Sequence, residues 1–224
     1  MSLAHTFGHQ LELPSIANVT PVIFVIDDDI SSRNSLEALI RFEGWQVETF
    51  ASAREFLNRP RPLVPSCLIL SLPHQDALDV QKHVVRERAE VPIIVISSYE
   101  DVRTTVQAMK AGAVDFLVTP FSSEILLHGI RESLERSRLA LDREMEIGGL
   151  RHRYASLSRR ERQVMALVVS GLLNKQVGGE LGISEITVKR HRRQAMRKME
   201  ANTLPDLVRM AVELAPVRKA AYLA

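Results

Sequence analysis

The sequence predicts an α/β doubly wound domain with a five-stranded parallel sheet, followed by a long linker helix and an all-α domain of four short helices. Three observations predict this. Short apolar runs alternate with amphipathic segments over the first 140 residues, the pattern of strands buried on both faces by flanking helices. From Ser123 to Gly148-Gly149 apolar residues recur at three- and four-residue steps with no strand between them. From Ser156 onward only short helical segments follow, bounded by capping residues or glycines.

Each element has its own signal. Val22-Ile23-Phe24-Val25-Ile26, closed by Asp27-Asp28-Asp29, is the first strand, and Ser32 to Glu43 the first helix. Val47 to Phe50, Cys67 to Leu70, Ile93 to Ile96 and Asp115 to Leu117 are the other strands, separated by helices over Ala53 to Asn58, Leu78 to Glu90 and Val102 to Ala111. In such a sheet ligand chemistry gathers at the carboxyl ends of the strands. The next segment carries Ile125, Leu126, Ile130, Leu134, Leu139, Leu141 and Met145, and Gly148-Gly149 reads as its stop or hinge. Ser158-Arg159-Arg160-Glu161 is a capping-box pattern opening a helix with Val164, Met165, Leu167 and Val168 on its apolar face. Asn174 to Leu181 follows Gly171, Ser184 caps a helix that runs to Met199, and Thr203-Leu204-Pro205-Asp206 opens the last one. The α/β domain is therefore placed at 20–140, the linker-helix end or hinge at 141–155 and the helical domain at 156–216.

Composition narrows the class. No apolar run is long enough to span a membrane, and Met1 to Thr20 lacks a basic start and an apolar core, so a cytoplasmic protein without a signal peptide is expected. The one cysteine, Cys67, sits in an apolar strand and reads as a buried, inert thiol. The net charge of +2 hides an asymmetry. Residues 151–224 hold 15 Lys and Arg against 6 Asp and Glu, leaving 14 against 21 in the first 150, so the C-terminal part is the one suited to a polyanion.

The strand ends identify the first domain. Asp27-Asp28-Asp29 follows the first strand, Ser71 the third, Ser97-Ser98 the fourth and Val118-Thr119-Pro120-Phe121 the fifth. With Val25-Ile26-Asp27-Asp28-Asp29 and the run from Ala108 to Leu117, this domain resembles the receiver (flavodoxin-like) domain of two-component response regulators over about residues 20–140. The resemblance implies an acidic pair for Mg²⁺, a phospho-accepting aspartate, a phosphate-sensing hydroxyl, a lysine and a reporter aromatic. Asp27 and Asp28 match the pair, Ser97 the hydroxyl and Phe116 the aromatic. Ser71 stands in place of the acceptor and Thr119 in place of the lysine, and the loop after Ser71 is altered, with Pro73 early and Asp79 where glycine is usual.

A serine without an adjacent base is a weak nucleophile and a poor ligand for a hard cation, and threonine supplies no positive charge to a phosphoryl group. A degenerate receiver, not phosphorylated at Ser71 and using neither Mg²⁺ nor another cofactor, is therefore expected. Asp27 and Asp28 are the residual candidates for a metal, and Asp76 reads as a solvated loop acid. Asp27 to Asp29 also suit the capping of a helix that begins near Ser31.

The second domain carries a helix, a glycine-containing turn and a helix, the signature of the helix-turn-helix whose second member enters the major groove. On that helix Val188, His191, Ala195 and Met199 form an inward face, while Lys189, Arg193 and Arg197 lie on another with Arg190 beside them. The segments Leu157 to Val164, Gly171 to Val177, Leu181 to Ser184 and Thr187 to Arg192 closely resemble the LuxR/FixJ-type helix-turn-helix of bacterial regulators. That resemblance implies phosphate contacts from Asn174, Lys175, Ser184 and Thr187, base contacts near Lys189, Arg190 and Arg193, and dimerisation on DNA. The last helix, with Leu204, Leu207, Val208 and Ala211, and the linker stripe through Ile130, Leu134 and Leu141 are the two candidate self-association surfaces. Gly178-Gly179 inside the second helix carries no functional reading.

The expected function is that of a FixJ/NarL-type regulator: a non-enzymatic, sequence-specific DNA-binding homodimer acting on double-stranded DNA, with RNA polymerase or another regulatory protein as a further partner and no membrane. Two alternatives stand beside it: phosphorelay signalling through a rearranged site, and a receiver-derived module for protein docking or a small ligand.

Overall fold

A computed structural model describes residues 19–61, 63–71, 74–88, 90–98 and 101–214; Pro73 of the altered loop lies outside them. The chain divides into two compact units between Asp142 and Arg143.

The first unit is built from β1 (Val22–Asp27), α1 (Ile30–Phe42), β2 (Gln46–Phe50), α2 (Ala53–Asn58), β3 (Ser66–Ser71), α3 (His74–Glu87), β4 (Ile93–Ser97), α4 (Val102–Lys110), β5 (Asp115–Val118) and the start of α5 (Ser123–Ala155). All strands run parallel in the order β2-β1-β3-β4-β5. Alternation along the strands divides two cores. Phe24, Leu68, Leu70 and Ile93 pack with Phe56, Val84 and Ala108 of α2, α3 and α4 on one face. Ile23, Val25, Ile69 and Ile94 pack with Leu36 and Ile40 of α1 and Leu126 and Ile130 of α5 on the other. Burying both faces removes the hydrophobic-polar alternation of a half-exposed sheet, which is why the central strands β1, β3 and β4 read as continuous apolar runs. Cys67 is fully buried, and that burial pushes its thiol up to about 12, with the nearby Ser133 hydroxyl working the other way.

The order reverses direction at β1, which has β2 on one side and β3 on the other, so the crevice of this doubly wound sheet opens between the carboxyl ends of β1 and β3. Asp27 and Ser71 are register partners at that point.

Two boundaries differ from the sequence reading. Helix α3 begins at His74, so Asp76 belongs to its first turn rather than to a loop. Helix α5 does not stop at Gly148-Gly149 but runs unbroken for 33 residues to Ala155. A side chain at either glycine would meet nothing within 4 Å, so packing does not require them there.

The second unit adds α6 (Arg159–Val169), α7 (Asn174–Leu181), α8 (Glu185–Met199) and α9 (Leu204–Leu214) to the end of α5. The predicted capping box is present: Ser158 Oγ accepts from Glu161 N–H and Glu161 Oε2 accepts from Ser158 N–H. Ser184 caps α8, and Gly182 ends α7 in the left-handed conformation at φ 65°. Val164, Val168, Val177 and Val188 form one small core across α6, α7 and α8; Leu150, Leu157, Met165, Ala195, Met199 and Leu207 form the other.

Candidate nucleic-acid interface and acidic site

The acidic site is already hydrogen-bonded within the chain. Asp27 is 2% exposed; its Oδ1 accepts from Asp29 N–H at 2.9 Å and its Oδ2 from the Ser32 hydroxyl at 2.6 Å. Asp29 is the N-cap of α1, with Oδ2 accepting from Ser32 N–H at 2.7 Å, while Asp28 is exposed. The Arg33 guanidinium donates to the Asp27 carbonyl, bringing a cation from α1 to the strand end. Ser71 is half-buried beside Asp27. Thr119 donates its N–H to the Ser97 carbonyl at 2.9 Å, and its hydroxyl leans on the same oxygen at 3.5 Å. Phe116 is half-buried against the core that contains Phe24 and Val95.

These residues fit Mg²⁺ poorly: of the acids beside Asp27, Asp29 is engaged as the N-cap of α1 and leaves only Asp28, and at Ser71 a hydroxyl, a weak ligand for a hard cation, stands next to Asp27. Among the described residues no three His, Cys, Asp or Glu side chains are grouped as a metal site. Neither Ser32 nor Arg33 was singled out by the sequence motif; their position in the first turn of α1, directly after the acids, is the signal that places them here.

The basic site is assembled by α7 and α8. Lys189, Arg190, Arg193 and Arg197 are all exposed, whereas Val188, Ala195 and Met199 are fully buried on the opposite side of α8 and His191 is half-buried between the two faces. Lys189 pairs with Glu185 at 2.9 Å, an exposed i,i+4 ion pair that costs little to break. Lys175 and Ser184 are exposed and Thr187 is half-buried, its hydroxyl 2.8 Å from that of Ser184. Asn174 is half-buried with Oδ1 held by Arg192 at 3.3 Å, a contact that ties the start of α7 to α8.

The turn between these helices explains one of the two glycines. Ile183 N–H donates to the Gly178 carbonyl at 3.0 Å, and a Cβ on Gly178 would stand 2.8 Å from the Ile183 carbonyl oxygen. At Gly179 a Cβ would meet nothing within 4 Å.

Residues 155–211 match the family of bacterial regulatory proteins of the luxR type, and residues 23–131 match the response regulator receiver domain. Nodulation protein W of Bradyrhizobium diazoefficiens is 44% identical over 200 residues, an alignment covering 88% of each chain. The chain belongs to the FixJ/NarL-type response regulators. The response regulator protein TodT of Pseudomonas putida is 41% identical to it, with 92% of this response regulator and 91% of TodT covered. FixJ of Azorhizobium caulinodans is 39% identical, over 85% and 91% of the two chains. The solved structure of the response regulator StyR superposes with a TM-score of 0.74 at 38% identity, covering 87% of this chain and all of that one. The protein is thus a DNA-binding LuxR-type response regulator with a receiver domain, and among the described residues no helix is long and apolar enough to cross a membrane.

The two expected self-association stripes of this response regulator are partly taken up by the cores of their own units. Leu207 is fully buried in its own unit, Leu204 and Ala211 pack against the same cores, and Val208 is half-buried. Ile130 is fully buried, Leu134 packs beside it under the sheet and Leu141 is 4% exposed. Sequence periodicity marks an apolar face without saying what covers it: Leu207 and Ile130 fill the cores of their own units, while Leu204, Val208 and Ala211 remain half-buried. The exposed apolar side chains of the first unit include Val102, Val106 and Met109 of α4, at i, i+4 and i+7.

A charged pair also escaped the motif reading. Lys198, near the end of α8, donates to Glu161 Oε2 at 2.7 Å and to the Ser156 carbonyl at 3.2 Å. Burial works to raise the Glu161 carboxyl, but the hydrogen bonds from Lys198 and Ser158 outweigh it and hold the group below the ordinary glutamate range.

Proposed function

We propose that this response regulator is a sequence-specific transcription regulator whose receiver works without aspartyl phosphorylation. The observation that carries the reading is the pairing of Asp27 with Ser71 across the crevice, with both Asp27 oxygens already accepting hydrogen bonds from Asp29 and Ser32. Acyl-phosphate formation needs a carboxylate that is at once nucleophile and Mg²⁺ ligand, and a hydroxyl meets neither demand near neutral pH. Thr119 adds no cation, and Arg33 is engaged with the Asp27 backbone. Incubation of the full-length protein with acetyl phosphate and Mg²⁺ tests this: no acyl-phosphate adduct by mass and no change of assembly are expected. A stoichiometric, hydroxylamine-labile phosphate overturns it and favours phosphorelay through a rearranged site.

On this reading the protein performs no reaction of its own, needs no cofactor and acts in the cytoplasm, where it binds an inverted-repeat operator as a homodimer. The exposed cations of α8 support major-groove entry, with Lys189, Arg190 and Arg193 at the bases, Arg197 further along the same helix, and Asn174, Lys175, Ser184 and Thr187 at phosphates. Support for self-association comes from the unpartnered stripe of Val102, Val106 and Met109.

A further inference from the structure

We propose that Ile186 reads sequence: its side chain packs against the C5 methyl group of a thymine in the major groove, one in each half-site. The inference rests on α8 being the groove-inserted helix and adds to it a residue that sets which base pair is preferred.

Ile186 is the second residue of α8 and is 81% exposed, while Val188, Ala195 and Met199 of the same helix are fully buried. Ile186 holds its hydrocarbon in water on an otherwise cationic face, so covering it with an apolar group on the DNA is favourable, and its place on that face gives the exposure its meaning. The helix geometry says where that group lies. Lys189, Arg190 and Arg193 follow at i+3, i+4 and i+7, so Ile186 heads the same flank that presents the cations, and it does so in the first turn, the end of a recognition helix that reaches base edges. Ser184 Oγ accepts from Thr187 N–H at 3.2 Å and lies 2.8 Å from the Thr187 hydroxyl, which fixes the backbone on either side of Ile186.

The chemistry then selects the base. A hydrocarbon side chain can bind neither a phosphate nor the hydrogen-bonding edge of guanine, adenine or cytosine. The C5 methyl of thymine is the apolar group that the major-groove edges offer.

The experiment uses the full-length protein and a duplex that it selects from a random library, with each thymine in turn replaced by uracil, which lacks only that methyl. Burial of one methyl predicts about a fourfold loss of affinity of the parent at one uracil position per half-site. Ile186→Ala removes the contact from both half-sites, so it should lose about sixteenfold on the thymine duplex and be indifferent to uracil at either of the two positions. At 81% exposure the substitution leaves the cores intact, and an unchanged unfolding midpoint verifies this. The proposal is overturned if Ile186→Ala binds the selected duplex as the parent does. It is equally overturned if uracil weakens parent and variant alike, because another residue then reads the methyl. Loss of transcriptional output with DNA affinity unchanged would assign Ile186 to a protein partner and overturn it too. If Arg190→Ala and Arg193→Ala also bind as the parent does, the groove assignment itself fails; if those two weaken and Ile186→Ala does not, only the Ile186 inference fails.

Discussion

Gly178 and the carbonyl of Ile183 lie so close that a methyl group on the glycine would stand 2.8 Å from the oxygen. The contact joins α7 to the turn before α8, and only a residue without a side chain permits it. Gly179, its neighbour in sequence, points where nothing stands within 4 Å.

Adjacent glycines should therefore respond in opposite directions to alanine. Gly178→Ala forces the turn apart and should destabilise the DNA-binding unit by about 1–3 kcal/mol, the usual range for overpacking. Gly179→Ala should stabilise it by about 0.5–1 kcal/mol through helix propensity. Denaturant melts of the two variants measure this, and a shift of the same sign for both would refute the assigned packing.

Glu161 and Lys198 give the helical unit an acid-sensitive lock. Because the folded carboxyl lies below its ordinary value, ionised Glu161 stabilises the fold fully above the ordinary glutamate pKa of about 4.3, and that contribution is lost as pH falls through the lower folded value. Glu161→Gln should cost about 1–2 kcal/mol at neutral pH and progressively less below about pH 4. Melting curves between neutral and acid pH should show the parent and variant converging on the acid side.

In the receiver, Ser71→Asp restores a carboxylate but leaves Thr119 in the lysine position and Asp27 hydrogen-bonded to Asp29 and Ser32. The single substitution should not restore ordinary phosphorylation by acetyl phosphate. A variant that accepts a full equivalent of phosphate would show that Ser71 alone had blocked the chemistry.

On DNA, Arg190→Ala or Arg193→Ala should weaken specific binding by about 1–3 kcal/mol if the arginine reads a base. Lys175→Ala should instead weaken all sequences and lower the salt slope by about one. Titrations of selected and scrambled duplexes across a salt series separate the two outcomes.

Assembly is expected without an activator, since the α4 stripe is present in every copy. Light scattering should find a concentration-dependent dimer, and Val106→Glu should move it toward monomer. A dimer that survives Val106→Glu would place the interface elsewhere.

The three central strands β1, β3 and β4 were legible because each is buried on both faces, so its hydrophobicity is unbroken in sequence; the edge strand β2, with only Val47 buried, shows as a short alternating run. The capping box at Ser158 and Glu161 was legible because it is a local contact with a fixed spacing. The start of α3 was not: His74-Gln75-Asp76 has no apolar periodicity, and the pattern begins only at Leu78. Leu207 shows a different limit, since a stripe that fills its own core and a stripe that meets a second copy have the same spacing. The atoms around Asp27 were hidden for a third reason: Ser32 and Arg33 act through hydrogen bonds set by the first turn of α1, which composition does not encode.

The unbroken passage of α5 through Gly148 and Gly149 has a consequence in time rather than in energy. Neither glycine gains a contact that offsets its helix cost of about 0.5–1 kcal/mol, so together they should make their turn open about five- to thirtyfold more often than two alanines would. Amide hydrogens in that turn would be among the first of the helix to exchange with solvent, and a protease arriving at α5 would find its earliest opportunity there.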